Sequence, residues 1–228
     1  MKKFAGNKKG QFVIIAVLLV AIMLISVGSL MHGAVTYYKH EPWEEYLTLI
    51  ANIELNSRRL VELSLANYTQ TLNQDILQIN VANWQAYLTT LYPSSGIALT
   101  ATSMELTRDW NQTKSISSGI SDFTLDIKSI GLTGYRFTAT AFLSLKIIEV
   151  DSNNITVTVK GEDNIPVTDL TKNNFQVTEA ETTINKVTPL YHSAEILVYV
   201  INCDAPITEP FTVTVVDQRG IKVAAKLA

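Results

Sequence analysis

Residues 84–106 read WQAYLTTLYPSSGIALTATSMEL, and a change of period inside this stretch decides the class of the fold. Trp84, Tyr87, Leu88 and Leu91 recur at three and four residues, the spacing of one helix face. Tyr92-Pro93-Ser94-Ser95-Gly96 interrupts that pattern with residues that favour turns. From Ile97 to Leu106 apolar and polar residues alternate, the period of a strand with one buried face. A helical block followed by a strand block predicts an α+β fold rather than alternating parallel units.

Moving toward the N-terminus, the helical period extends back through Val81, Leu77 and Ile76, predicting a helix over about 72–91. Before it, Trp43, Tyr46, Leu47, Ile50, Ile53, Leu60, Val61 and Leu65 mark a second amphipathic helix, with Glu44, Glu45, Glu54, Arg58 and Arg59 on its other faces. Pro42 suits the first turn of that helix, or alternatively kinks one continuous helix running from residue 12 to residue 66. These helices form a segment expected over 35–95. Moving toward the C-terminus, Phe123-Leu125-Ile127 and Tyr135-Phe137-Ala139-Ala141-Leu143-Leu145 keep the strand period. Three or four antiparallel strands are therefore expected over 96–150, packed on a helix.

Residues 151–228 read as a separate unit. Ile155-Val157-Val159 alternates with Thr156, Thr158 and Lys160 and runs into a Gly161-Glu162-Asp163-Asn164 turn. Further strands are expected at Phe175-Val177, residues 196–201, Phe211-Val213-Val215 and Ile221-Val223. Short strands at this spacing, separated by Gly, Pro, Asn and Asp, predict a β-sandwich.

At the other end, residues 12–31 read FVIIAVLLVAIMLISVGSLM, and no charge lies between Lys9 and Lys39. Twenty helical residues match a hydrocarbon core of roughly 30 Å. The run exceeds the h-region of an ordinary signal peptide and lacks a good small-residue cleavage site. Lys2, Lys3, Lys8 and Lys9 precede it, so the N-terminus is expected on the cytoplasmic side and residues from about 35 outside, with Tyr37, Tyr38 and Trp43 near the outer interface. The segment 11–34 is thus expected to be a transmembrane or filament-core helix, and 1–10 a basic leader. Ala16, Ala21, Ser26, Gly28 and Ser29 are small enough to let like helices approach, and Gly28 and Ser29 are the expected packing positions for self-association.

Chemistry-bearing patterns are few. The net charge of −3 falls on a chain whose first ten residues are basic, so the remainder is acidic and nucleic-acid binding is not expected. His32, His40 and His192 share no ligand spacing, and no HExxH, Gly-x-Ser-x-Gly or phosphate-binding loop occurs. Asp122 and Asp126 fall on one strand face, either as solvated acids or as two ligands that could coordinate an ion. Cys203 is the one cysteine, so no internal disulfide forms; it reads as a buried thiol near a strand end. His192 is expected in a loop flanking a strand. No enzyme activity, metal or cofactor is expected. Asn67-Tyr68-Thr69, Asn111-Gln112-Thr113 and Asn154-Ile155-Thr156 are sequons, making Asn67, Asn111 and Asn154 candidate N-glycosylation sites on an outer surface.

The junction Lys8-Lys9-Gly10-Gln11-Phe12 resembles the class III leader of archaeal type IV pilins and archaellins. The resemblance implies that a prepilin-type leader peptidase cuts between Gly10 and Gln11, leaving the apolar helix on the mature chain. It departs from many pilins at the fifth mature position, where Ile15 stands in place of Glu. The string VTVKGEDNIPVTDLTKNNFQVTE, residues 157–179, resembles the opening of Ig-like modules of microbial surface proteins. Together these imply a pilin-like structural subunit of the cell surface, anchored or assembled through its N-terminal helix. The alternative is an unprocessed, single-pass anchored protein whose Ig-like domain binds an envelope or cell-surface partner.

Overall fold

The computed structural model describes residues 8–39, 43–110, 112–178, 182–193 and 196–227. It divides into two compact units, Met1–Thr48 and Leu49–Ala228.

In the first unit the backbone forms α1, Lys8–Lys39. The described side chains of α1 are those of residues 17–32, and all are exposed, Leu30 by 74% and Met23 by 70%. Among the described residues no helix is long and apolar enough to cross a membrane; the sixteen described side chains of α1 are fewer than a span requires. A second helix, α2, runs Trp43–Thr71 as an element distinct from α1.

The second unit is α+β. The face of α2 that carries Ile53, Ser57, Val61, Ser64, Leu65 and Tyr68 is buried, following the three-and-four spacing of its sequence. Helix α3, Ile76–Leu91, buries Leu77, Val81 and Leu88. Asn80 Nδ2 donates to Ser64 Oγ at 2.9 Å and Trp84 Nε1 to Ser57 Oγ at 3.3 Å. These rungs fix the two helices antiparallel, since 80 meets 64 and 84 meets 57. The helix starts later than expected because Leu72 takes a left-handed φ of 62° and Asn73 Oδ1 accepts from the Asp75 N–H, a local turn that competes with helix.

Among the described residues nine strands follow: β1 (Ile97–Asp109), β2 (Lys114–Ile127), β3 (Leu132–Asp151), β4 (Asn154–Lys160), β5 (Phe175–Thr178), β6 (Ile184–Ser193), β7 (Ile196–Cys203), β8 (Phe211–Val216) and β9 (Lys222–Leu227). A six-stranded antiparallel sheet has the order β1-β2-β3-β4-β7-β6, and a three-stranded sheet the order β5-β8-β9. The boundary expected at residue 151 falls in the tight β3–β4 hairpin, where Asp151 pairs with Asn154 and Ser152 takes φ 36°. Strands from both sides of that boundary share the large sheet, so 49–228 is one compact unit with a continuous ladder. Strand β6, with His192 in it, replaces an expected loop. Pro189 lies inside this strand, and its missing N–H is tolerated because β6 is the sheet edge.

One face of the large sheet is covered twice. The three-stranded sheet lies over it at one end, where Ser117 Oγ donates to the Lys222 carbonyl at 2.7 Å and the rings of Phe175 and Tyr199 stand 5.3 Å apart. Next to it α2 lies over small residues on β2 and β3, Gly119, Ser121, Ala139 and Ala141, all buried. A Cβ on Gly119 would stand 3.2 Å from Val61 Cγ1 and 3.0 Å from Leu106 Cδ2, so the glycine admits the helix. Gly119→Val should therefore overpack this seam and lower the stability of the full chain by about 1–3 kcal/mol, read from its urea midpoint. An unchanged midpoint would show that the seam has slack.

Candidate functional site

Gly10 and Gln11 fall in the first turns of α1, where the backbone alone is described. Gly28 and Ser29 lie on its exposed middle, and a Cβ added at Gly28 meets nothing within 4 Å. Ser26 turns its hydroxyl back onto the Ile22 carbonyl at 2.8 Å, the bond by which a serine hides its polarity in an apolar helix.

The sequons occupy different settings. Asn67 is exposed on α2 and its Oδ1 accepts from Thr71 Oγ1 at 2.9 Å. The Thr69 of its sequon is only 2% exposed: its hydroxyl donates to the Ala66 carbonyl at 2.9 Å and accepts from the Lys222 N–H at 3.2 Å. Asn154 opens β4 and accepts from Asn202 Nδ2 at 2.9 Å. Asn111 lies outside the described residues.

The acids and the thiol are built into the frame. Thr138 Oγ1 donates to Asp122 Oδ1 at 2.7 Å, whereas Asp126 Oδ1 accepts from the Gly134 N–H at 2.6 Å, so each carboxylate serves its own strand neighbour. Among the described residues no His, Cys, Asp and Glu cluster could hold a metal ion. Cys203 ends β7, and burial pushes its thiol up, which keeps it protonated near neutral pH. Tyr135 donates to Glu54 Oε1 at 2.5 Å across the α2–β3 contact; that bond, with burial and the carboxylate's charge, raises its phenol.

Asp204 closes the β6–β7 pair. Its carboxylate accepts from Thr183 Oγ1 at 2.5 Å, the Thr183 N–H at 2.8 Å and Thr182 Oγ1 at 2.8 Å. These bonds hold its pKa down at about 2 from 3.8. The stabilisation they bring is complete above 3.8 and is lost as pH falls through about 2. A carboxyl NMR titration should find that low midpoint, and an ordinary value near 3.8 would mean the threonines do not hold the carboxylate.

Two features were not apparent from spacing. A groove of about 750 Å³ runs between α2 and α3, lined by Leu60, Leu63, Trp84, Tyr87 and Leu91 among others. Its residues had been legible only as the apolar faces of two helices. The second feature is Arg219, in the β8–β9 turn Asp217-Gln218-Arg219-Gly220. Its Nε donates to Asp217 Oδ2 at 2.8 Å, Nη1 to Glu162 Oε1 at 2.5 Å, and Nη2 to the Phe142 carbonyl at 3.0 Å; Glu62 of α2 stands 3.4 Å from Nη1. Helix α2, β3, the turn after β4 and the small sheet all meet at this guanidinium. Burial alone would lower its pKa, but the bond to Glu162 and the charge of Asp217 reverse that and raise it. The cluster joins α2, β3, the turn after β4 and the small sheet through one guanidinium.

Compared with known proteins, the chain matches no family model, no curated relative and no solved structure.

Proposed function

We propose that the protein is a pilin-like structural subunit of the cell surface, held in the membrane or assembled into a filament through its N-terminal helix. The observation that carries this reading is the uncharged run of residues 12–31 directly behind Lys2, Lys3, Lys8 and Lys9. Exposed apolar side chains along 17–32 support it, because such a helix needs lipid or other helices around it. In this reading a prepilin-type leader peptidase cuts between Gly10 and Gln11, residues 1–10 stay cytoplasmic, and residues from about 35 lie outside the cell. The six- and three-stranded sheets form the outward head, in which the Ig-like part expected over 151–228 shares the large sheet with the helix-backed strands, and the sequons at Asn67, Asn111 and Asn154 are candidate glycosylation sites on it. The head does no catalysis and takes no cofactor.

Ile15 favours a second reading. A pilin Glu at that position pairs with a neighbour's new amino terminus, and isoleucine supplies no charge. Without it the protein would be an unprocessed single-pass anchor whose head binds an envelope partner.

N-terminal peptide analysis of the native protein distinguishes the two. The pilin-like reading expects a mature chain starting at Gln11, with external protease removing the head from intact cells. A chain that retains Met1 or Lys2 would replace it with the anchored protein, and a head fully protected from protease would overturn both.

A further inference from the structure

We propose that the face of β2, β3 and β4 opposite the helices carries a binding site for a tetrahedral oxyanion, the phosphate or sulfate monoester of a small polar molecule. The register puts Lys114 directly across from Lys146, and Lys146 across from Thr158; Lys160 pairs with Ser144 one rung further on. Opposed residues on a shared face have their Cβ atoms about 5 Å apart and diagonal ones about 7–8 Å. Three long, flexible ammonium side chains are therefore rooted close enough to converge on one anion.

Like charges placed directly opposite each other on a sheet repel, and the acid of β1 on this face, Asp109, stands across from Ile116, diagonal to Lys114 and outside the cleft's lining. The ion pairs of Arg219 involve none of these lysines. Glu149 of β3, opposite Thr156 of β4, is the next acid along this face and lies outside the cleft's lining. Glu162 is committed to Arg219 and to the Phe142 N–H. In a chain of net charge −3, a cleft with three cations and no acid is a local reversal of sign.

The cleft has the shape and donors of a binding site as well as the charge. It encloses about 360 Å³ and is lined by Lys114, Lys146, Lys160, Ser144, Thr158 and Asn164. That volume falls at the small end of ligand sites, about 300–1,000 Å³, which leaves room for the group that bears the oxyanion. Lysine binds such groups as a point charge, while the hydroxyls of Ser144 and Thr158 and the amide of Asn164 can donate to ester or hydroxyl oxygens. The site is independent of how the N-terminus is processed.

Calorimetric titration of the full chain in non-ionic detergent tests this, with inorganic phosphate, glucose 6-phosphate and glucose as probes. Saturable binding of either phosphate is expected, weakened at least tenfold by Lys146→Gln and by Lys160→Gln, retained in Lys146→Arg and reduced by added salt. Glucose alone should not bind. Tighter binding of glucose 6-phosphate than of inorganic phosphate supports an ester as the ligand; equal affinities would overturn the ester and leave a free anion. Absence of saturable phosphate binding, or an equal loss in the remote Lys172→Gln variant, would overturn the site.

Discussion

Arg219→Met should cost the second unit about 2–4 kcal/mol, a large share of the stability of a domain this size. Asp217 is the reason. Its side chain is 4% exposed, and it keeps two backbone partners, the N–H groups of Arg219 and Ile221 at 3.0 and 2.9 Å. Methionine fills the volume but leaves that carboxylate without a counter-charge and frees Glu162 and the Phe142 carbonyl from theirs. Breaking a buried pair on one side costs about 3–5 kcal/mol. The guanidinium is one-quarter exposed, so solvent screens part of that and the lower figure applies. Arg219→Lys should recover only part of the loss, because one ammonium cannot address Asp217, Glu162 and the carbonyl at once. Chemical unfolding of the full chain followed by tryptophan emission reads the difference. A change below about 0.5 kcal/mol would mean that the cluster is an ordinary surface network.

The same cluster shows where sequence reading stops. Period alone located α2, α3 and most strands, since a repeating apolar face is a local property. The start of α3 was misplaced because Leu72 and Asn73 prefer a turn that hydropathy does not register. Strand β6 carries Pro189, which hydropathy cannot reconcile with a central strand, and only the full pairing order shows that β6 is an edge. The division at residue 151 followed a real change in composition, but β3 runs twenty residues and pairs on both sides, joining what composition separates. Gly119 reads as a weak point in a strand until α2 is seen above it. Arg219 is bonded to Glu62, 157 positions away, and to Glu162, 57 away, so no local pattern could pair them. The lysine cleft is intermediate in this respect. Lys160 stands in an evident strand, but its closeness to Lys114 and Lys146 requires the register of three strands.

Introducing two carboxylates at the centre of the apolar run, Ala21→Asp with Ile22→Asp, should move the protein from the membrane fraction to the soluble or degraded fraction. A carboxylate at the middle of a membrane helix costs about 2.5–3.5 kcal/mol on insertion scales, and losing isoleucine removes about 0.3–0.6 more. The pair therefore opposes insertion by roughly 5–8 kcal/mol, enough to change the partition by several powers of ten. Gly28→Leu is the complementary variant. Leucine is favourable in hydrocarbon, and a Cβ at Gly28 meets no other side chain of its own chain within 4 Å, so a change in crosslinking there points to a neighbouring helix. The pilin-like reading expects the double aspartate to abolish both anchoring and assembly, and Gly28→Leu to spare anchoring while disturbing assembly. Fractionation and crosslinking of native material report the two separately. Unimpaired membrane association of the double aspartate would end the reading of 12–31 as a membrane or filament helix, whereas unchanged crosslinking of Gly28→Leu would leave the anchor and remove its packing role.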